Sequence, residues 1–306
     1  MNVLSTFSGV GGLDLGLERA GMRVVFQAEV DEWRRRVLRW HWPHARIYDD
    51  VRSVRESASG DSDHSVCAAI DEGRREAGAG LSVDLLCGGF PCQDLSIAGR
   101  RAGLAGERSG LFFEFARIAD EFRPRWLIVE NVPGLLSSAD GRDFGVVLAT
   151  LGDLGYGLAW RVLDARFFGV PQRRRRVFVV GHSGGEPEPA VRAVGAGGFG
   201  DSASRGCSWQ GASCGIGGRT QARCITAHGQ RLDGDTENFI VSTSQMCSVR
   251  RLTPVECERL MSWPDDWTAV DGENTPDGRR YAACGDGVVS NVAEWIARGI
   301  LQEDAA

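Results

Sequence analysis

The sequence predicts an α/β fold, a doubly wound and mostly parallel sheet joined to a small loop-rich domain. Three observations predict it. Short apolar runs alternate with helix-period stretches through residues 1–182, a Gly-rich turn follows the first run, and from His182 to Met246 the composition shifts to Gly, Ser, Ala and Cys with little helical periodicity.

The run from Asn2 to Phe7 reads as a first strand, ended by a turn at Gly9, Gly11 and Gly12. Leu13, Leu17 and Ala20 then mark a helix closed by Gly21. The alternation continues through the run Val24 to Ala28, the helical stretch Asp31 to Trp40, the run Val83 to Cys87, the helix Leu111 to Phe122 and the run Trp126 to Val129. A helix near Phe144 to Leu154 and strands at Leu158 to Leu163 and Arg176 to Gly181 complete the first lobe. Residues 55–80, rich in Ser, Asp, Glu and Gly, read as an exposed insertion without chemistry. In the tail, Pro254 takes a first helical position after Thr253, and Val288 to Ile300 is amphipathic. The expected division is 1–182, 183–248 and 249–306, the last segment returning to the first lobe.

With 306 residues, 42% hydrophobic and 25% charged, the chain is long enough for one large core and a smaller lobe. It contains no run of about 18 apolar residues and begins directly with a strand-like run, so neither a membrane span nor a signal peptide is expected, and the expected location is the cytoplasm. Nine cysteines, irregularly spaced and without a Cys-X-X-Cys pair, argue for reduced thiols. All 35 basic residues are Arg and the net charge is −6, which excludes a generally basic nucleic-acid binder. Arg100 and Arg101, Arg173 to Arg176, and Arg250 and Arg251 are nevertheless bunched enough for a local phosphate track. Arg34 to Arg36, on a helix, read as an ordinary solvated surface.

A Gly-rich turn after the first strand lets backbone approach a ligand at the carboxyl edge of the sheet, although Phe7-Ser8-Gly9-Val10-Gly11-Gly12 equally suits a structural turn. Glu29 follows the second strand, where a carboxylate can accept hydrogen bonds from two ribose hydroxyls. Asp50 follows the third, where it can meet an adenine amino group. Singly, each acid is commonly a helix cap or turn residue, and Asp49 beside Asp50 leaves the second assignment open. After Val83 to Cys87 the chain runs Gly88-Gly89-Phe90-Pro91-Cys92-Gln93, presenting a thiol at the same edge. Cys87 fits a buried structural cysteine, whereas Cys92 does not. The next strand delivers Glu130-Asn131-Val132, and a buried run carrying a carboxyl to a sheet edge suits an acid.

Taken together, Gly89-Phe90-Pro91-Cys92-Gln93, Glu130-Asn131-Val132 and Gln172-Arg173-Arg174-Arg175-Arg176 resemble, in order and spacing, the motifs of the C5-cytosine-specific DNA methyltransferases of bacterial or phage type. Phe7 to Gly12 resembles the family's first motif, Arg251-Leu252-Thr253-Pro254 with Glu256 its ninth, and Gly285-Asp286-Gly287-Val288 its tenth. The resemblance implies a Rossmann-like, S-adenosylmethionine-dependent catalytic domain over 1–182 and a target-recognition domain over 183–248. It also implies catalytic roles for Cys92, Glu130, Arg174 and Arg176. Cys92 would add to C6 of a flipped cytosine, Glu130 would engage N3, and Arg176 with Arg174 would hold the base oxygen, the carboxylate and nearby backbone. Arg173 and Arg175 would alternate outward.

By the same resemblance Phe7, Gly9, Val10, Gly11, Gly12, Glu29, Val30, Asp50, Val51, Gly89, Pro91, Leu111, Asp286, Gly287 and Val288 surround the cofactor. Two positions depart from the family: Asp286 stands where Asn is common, and Val30 where some members stack an aromatic ring on adenine. The segment Gln93 to Ser109 would close over the flipped base, with Gln93, Ser96, Arg100 and Arg108 toward DNA. Arg219 and Arg223 lead the candidates for reading a short sequence in the major groove.

Cys207, Cys214, Cys224 and His228 are too irregularly spaced for a zinc site, and no metal is expected. The expected partner is double-stranded DNA, with no membrane, and the expected state is a monomer; the sequence leaves open whether the protein works beside a separately encoded restriction endonuclease, in a phage genome or alone. Three rivals stand beside this assignment. Cys224-Ile225-Thr226 faintly resembles a tripeptide of the tRNA-modifying branch, though that branch's following tyrosines are absent. A non-catalytic DNA-binding relative would not need Cys92, Glu130 and Arg176, and a thiol hydrolase or redox enzyme would need a suitable His or a resolving Cys.

Overall fold

A computed structural model describes residues 1–55, 82–91, 110–185, 239–242, 248–270 and 275–305. Strands β1 (Asn2–Thr6), β2 (Arg23–Ala28), β3 (Arg46–Tyr48), β4 (Leu85–Gly88), β5 (Trp126–Asn131), β6 (Gly157–Asp164) and β7 (Arg175–His182) form one seven-stranded sheet in the order β3-β2-β1-β4-β5-β7-β6. The first five are parallel, and β7 inserts antiparallel between β5 and β6. The order reverses between β1 and β4. Such a switch point opens a crevice beyond the carboxyl ends of the strands, and both the Gly-rich turn and the Pro91 turn leave from it.

Successive side chains along each strand alternate between two cores, as the pleat requires. Val3, Leu85, Cys87, Trp126, Ile128, Phe178 and Val180 face one side. There they meet α1 (Gly12–Arg19), α2 (Glu32–His41) and the C-terminal helices α5 (Pro254–Leu260), α6 (Asp277–Asp286) and α7 (Ser290–Asp304). Leu4, Leu86, Leu127, Val129, Val177 and Val179 face the other side, against α3 (Gly110–Phe122) and α4 (Arg142–Asp153). Burial on both faces explains why the strands read as continuous apolar runs rather than alternating ones.

Local signals set the helix ends. Asp31 caps α2, its side chain accepting from Arg34 N, and Thr253 with Glu256 forms a reciprocal capping box at α5 with Pro254 at the first position. A two-stranded antiparallel pair, β8 (Phe239–Ser242) with β9 (Ser248–Arg251), stands apart from the main sheet, and β9 runs across residues 248 and 249. The tail from 254 onward returns to the first lobe: Ser290 Oγ donates to Gly12 O at 2.7 Å, and Trp267 Nε1 to Val10 O at 2.8 Å.

Beneath the Gly-rich turn, Asp14 of α1 is fully buried and accepts from Gln27 Nε2 at 3.2 Å. Burial pushes its carboxyl from 3.8 up to about 6, with hydrogen bonds from Gln27 and Ser5 opposing. A raised acid binds its proton more tightly in the folded state, so its stabilising contribution is complete below the unfolded value and lost as pH rises through about 6. Asp14→Asn is therefore expected to gain stability over the wild type, by up to about 3 kcal/mol above about pH 7, with a smaller gain near about pH 4. Urea midpoints across that range measure it, and a gain independent of pH would contradict it.

Candidate active site

The turn after β1 is built for close approach. Phe7 adopts φ 54, Gly9 φ 59 and Gly11 φ 81, and a non-glycine residue in the left-handed region marks strain held by its surroundings. A Cβ at Gly9 would meet open space, so that glycine faces the crevice. Gly11 and Gly12 have a different reason. A Cβ on Gly11 would lie 2.3 Å from the Trp42 ring, and one on Gly12 would lie 2.6 Å from Val288 O and 2.9 Å from Trp263. These two glycines therefore let tryptophans back the loop.

Glu29, at the end of β2, is buried and holds the turn in place: Oε2 accepts from Gly9 N at 2.8 Å and Oε1 from Asp31 N at 2.9 Å. Burial raises its carboxyl, and those two hydrogen bonds and the Arg34 charge oppose the rise. Each oxygen keeps a lone pair for a further donor. Val30 beside it is 77% exposed. Asp50 caps the 3-10 turn Val51–Ser53, accepting from Arg52 N at 2.8 Å, while Val51 is buried against the second core. Phe7 and Leu111 pack on that same core. An open glycine, an acceptor pair at Glu29 and apolar flanks at Val30, Val51 and Leu111 fit an adenosine moiety.

On the other side of the switch point the catalytic candidates converge. Glu130 of β5 lies 3.0 Å from Arg176 Nε through Oε1, both side chains largely buried, in an ion contact without well-aligned hydrogen-bond geometry. Burial raises the Glu130 carboxyl, against the charges of Arg176 and then Arg174. A Cβ on Gly89 would sit 2.7 Å from Glu130 Oε2, so only glycine lets that turn pass the acid. Asn131 Nδ2 donates to Phe90 O at 3.1 Å, fixing the backbone ahead of Pro91. Cys92 follows directly in sequence. Cys92 itself, with Gln93, Ser96, Arg100, Arg108, Arg219 and Arg223, lies outside the described residues, as do Cys207, Cys214, Cys224 and His228.

Arg173 and Arg175 are exposed, and Arg174 points inward at 2% exposure. Arg174 Nη2 donates to Gly285 O and Gly287 O, each at 2.7 Å. Gly287 is again a close approach, since a Cβ there would lie 2.6 Å from Trp263. Val288 O accepts from Trp263 Nε1 at 3.2 Å. Among the described residues there is no cluster of His, Cys, Asp and Glu able to hold a metal.

Several supporting residues escaped the sequence reading. Trp267 donates to Val10 O while its indole stacks on His41, ring centroids 3.4 Å apart, and Trp42 meets it edge-on. Nothing local in sequence links positions 42, 263 and 267. The expectation of a solvated surface at Arg34 to Arg36 is corrected: Arg34 pairs with Asp286, and Arg35 donates to Glu29 O and Val30 O at 2.8 and 2.6 Å. The acid of α6 and the backbone carbonyls after β2 recruit these cations, and neither partner is visible from the helix alone.

The crevice at the switch point thus has Glu29 and the glycine turn on one side and the Glu130–Arg176 pair on the other. The C-5 cytosine-specific DNA methylase family model matches residues 1–194 and 200–302, and the chain belongs to that family, one of methyl-transferring enzymes. It is 30% identical over 318 residues to the Type II methyltransferase M2.BsuMI of Bacillus subtilis (strain 168), covering 99% of this chain and 76% of that relative. Against the Type II methyltransferase M.Eco47II of Escherichia coli it is 39% identical over 180 residues, covering 58% of this chain but only 38% of the relative. The fold is similar to that of the S. pombe Dnmt2 methyltransferase, with TM-score 0.69, 15% identity and 99% of each chain covered. No helix among the described residues is long and apolar enough to cross a membrane.

Proposed function

We propose that the chain is a DNA (cytosine-5-)-methyltransferase that flips a target cytosine out of duplex DNA and methylates C5 within a short recognition sequence. The observation that carries this is the Glu130–Arg176 pair lying against Gly89, in the turn that leads to Cys92. C5 of cytosine is too weakly nucleophilic to take a methyl group unaided, so a group must first add to the ring. The Cys92 thiolate forms a bond to C6 while Glu130, held by Arg176, donates a hydrogen bond or proton to N3. Electron density then moves to C5. Bound S-adenosylmethionine supplies the electrophilic methyl group. Loss of the C5 proton expels the Cys92 sulfur and restores aromaticity, and the N3 proton returns to Glu130.

Glu29 would accept from the ribose hydroxyls, Asp50 would meet the adenine amino group, and Val30, Val51 and Leu111 would cover the adenine. Phe7 and Gly9 to Gly12, with Asp286 to Val288, would border the rest, and Gly89 and Pro91 would separate cofactor from base. Residues 183–248 act as the target-recognition domain and 249–306 as the returning segment of the catalytic domain. The protein works as a monomer in the cytoplasm, and a separately encoded endonuclease fits the Type II names of its relatives.

The test incubates the protein with tritiated S-adenosylmethionine and either unmethylated duplex DNA or tRNA, and maps modified cytosines by sequencing. Label at C5 within one recurring short DNA sequence is expected. Label confined to tRNA, or transfer to neither, would overturn the proposal.

A further inference from the structure

Position 286 holds an acid where the resemblance implies an amide, and the fold brings that acid a cation from the far end of the chain. Arg34 Nη2 lies 2.6 Å from Asp286 Oδ2, with the side chains 26% and 49% exposed. Arg34 sits in the first turn of α2, just after Glu29 and Val30, and Asp286 sits at the end of α6, just before Gly287. The pair thus joins two segments that border the proposed cofactor crevice. Burial works against the Arg34 charge, but Glu29, Asp286 and Asp31 together outweigh it and keep the guanidinium protonated.

The methyl donor and its spent form differ by one methyl group and one positive charge on sulfur. Residues that touch neither the methyl nor the sulfur can separate the two ligands only through charge. A bare carboxylate at 286 favours the cationic donor; an ion pair, whose charges cancel at a distance, does so far less. Across a partly solvated crevice, one uncompensated charge changes a binding ratio by roughly threefold to tenfold.

We infer that Arg34, acting through Asp286, is a positioning residue that sets how strongly the cofactor crevice prefers S-adenosylmethionine over S-adenosylhomocysteine. This rests on the cofactor assignment proposed above. By cancelling the Asp286 charge, Arg34 keeps the preference low, which also limits how tightly the donor is held relative to the product.

Calorimetric titration of the full chain with each ligand separately, for wild type, Arg34→Met, Asp286→Asn and the double variant at low salt, tests it. The ratio of the homocysteine to the methionine dissociation constant is expected to rise roughly threefold to tenfold in Arg34→Met. It should fall in Asp286→Asn and return near the wild-type value in the double variant. High salt should compress both single-variant changes. Equal weakening of both ligands in Arg34→Met, persisting in the double variant, would mean a mere structural brace and overturn the inference. Should Arg34→Met not fold, the fall in Asp286→Asn decides alone, and an unmoved ratio there overturns it. Wild-type protein that binds neither ligand overturns the cofactor assignment and this inference together; binding with unmoved ratios overturns this inference only.

Discussion

Replacing Glu130 with Gln is expected to slow methyl transfer by roughly 10²–10⁴-fold, the range that a positioned general acid contributes, or about 3–5 kcal/mol of barrier. Gln keeps the shape of the side chain and can still meet N3 with its amide, but it cannot deliver a proton as density moves toward C5. Cofactor affinity should change little, because Glu130 lies across the switch point from Glu29. The pH profile carries the mechanism. Burial raises the Glu130 carboxyl against the opposing charges of Arg176 and Arg174, so the proton-donating form persists to higher pH than for an ordinary glutamate and is lost as pH rises through the shifted value. The wild-type single-turnover rate should therefore fall along an alkaline limb that the Gln variant lacks. Cys92→Ser, by comparison, should abolish both transfer and any covalent complex with DNA. A Gln variant within about threefold of the wild-type rate would rule out Glu130 as the acid.

Much of this architecture was legible because buried parallel strands declare themselves as apolar runs. Val83 to Cys87 and Trp126 to Val129 were readable because both faces of β4 and β5 are covered, and a polar residue ending such a run stands out. Glu130 is that residue. β7 was readable as a strand but not as an antiparallel insert between β5 and β6, because direction is set by pairing with distant residues such as Asn131 with Val177. What the sequence concealed was the scaffold behind the glycine turn. Gly11 and Gly12 look like ligand-approach glycines, yet Trp42 and Trp263 occupy the space where their side chains would be. Packing partners 31 residues from Gly11 and 251 residues from Gly12 leave no local periodicity. Arg34 was hidden for a related reason: a charged helix face reads as solvated until its acceptor arrives from another element.

Arg174 carries the second large expectation, because it ties the turn before β7 to the segment proposed to border the cofactor. Its guanidinium is buried and donates to the carbonyls of Gly285 and Gly287, at the C-terminal end of α6, where helix carbonyls have no intrahelical partner. Arg174→Met retains an apolar stem of similar length but leaves the buried Gly285 carbonyl and the half-buried Gly287 carbonyl without their donor. At about 1–3 kcal/mol for a buried unsatisfied group, and less for the half-buried Gly287 carbonyl, a loss of about 1–4 kcal/mol of stability is expected, read from the urea midpoint and slope. Two further effects separate this from generic destabilisation. The carbonyls of Gly285 and Gly287 border Asp286 and Val288, so S-adenosylmethionine affinity should fall even at temperatures where the variant is fully folded. Glu130 also loses one of the two charges that oppose its burial, so the alkaline limb of its pH profile should move to higher pH. Arg174→Lys should recover only part of the stability, because a compact ammonium cannot match the planar fork that reaches both carbonyls. A Met variant with unchanged midpoint and unchanged cofactor affinity would show that the two carbonyls find other donors, and that Arg174 does not couple the two halves of the site.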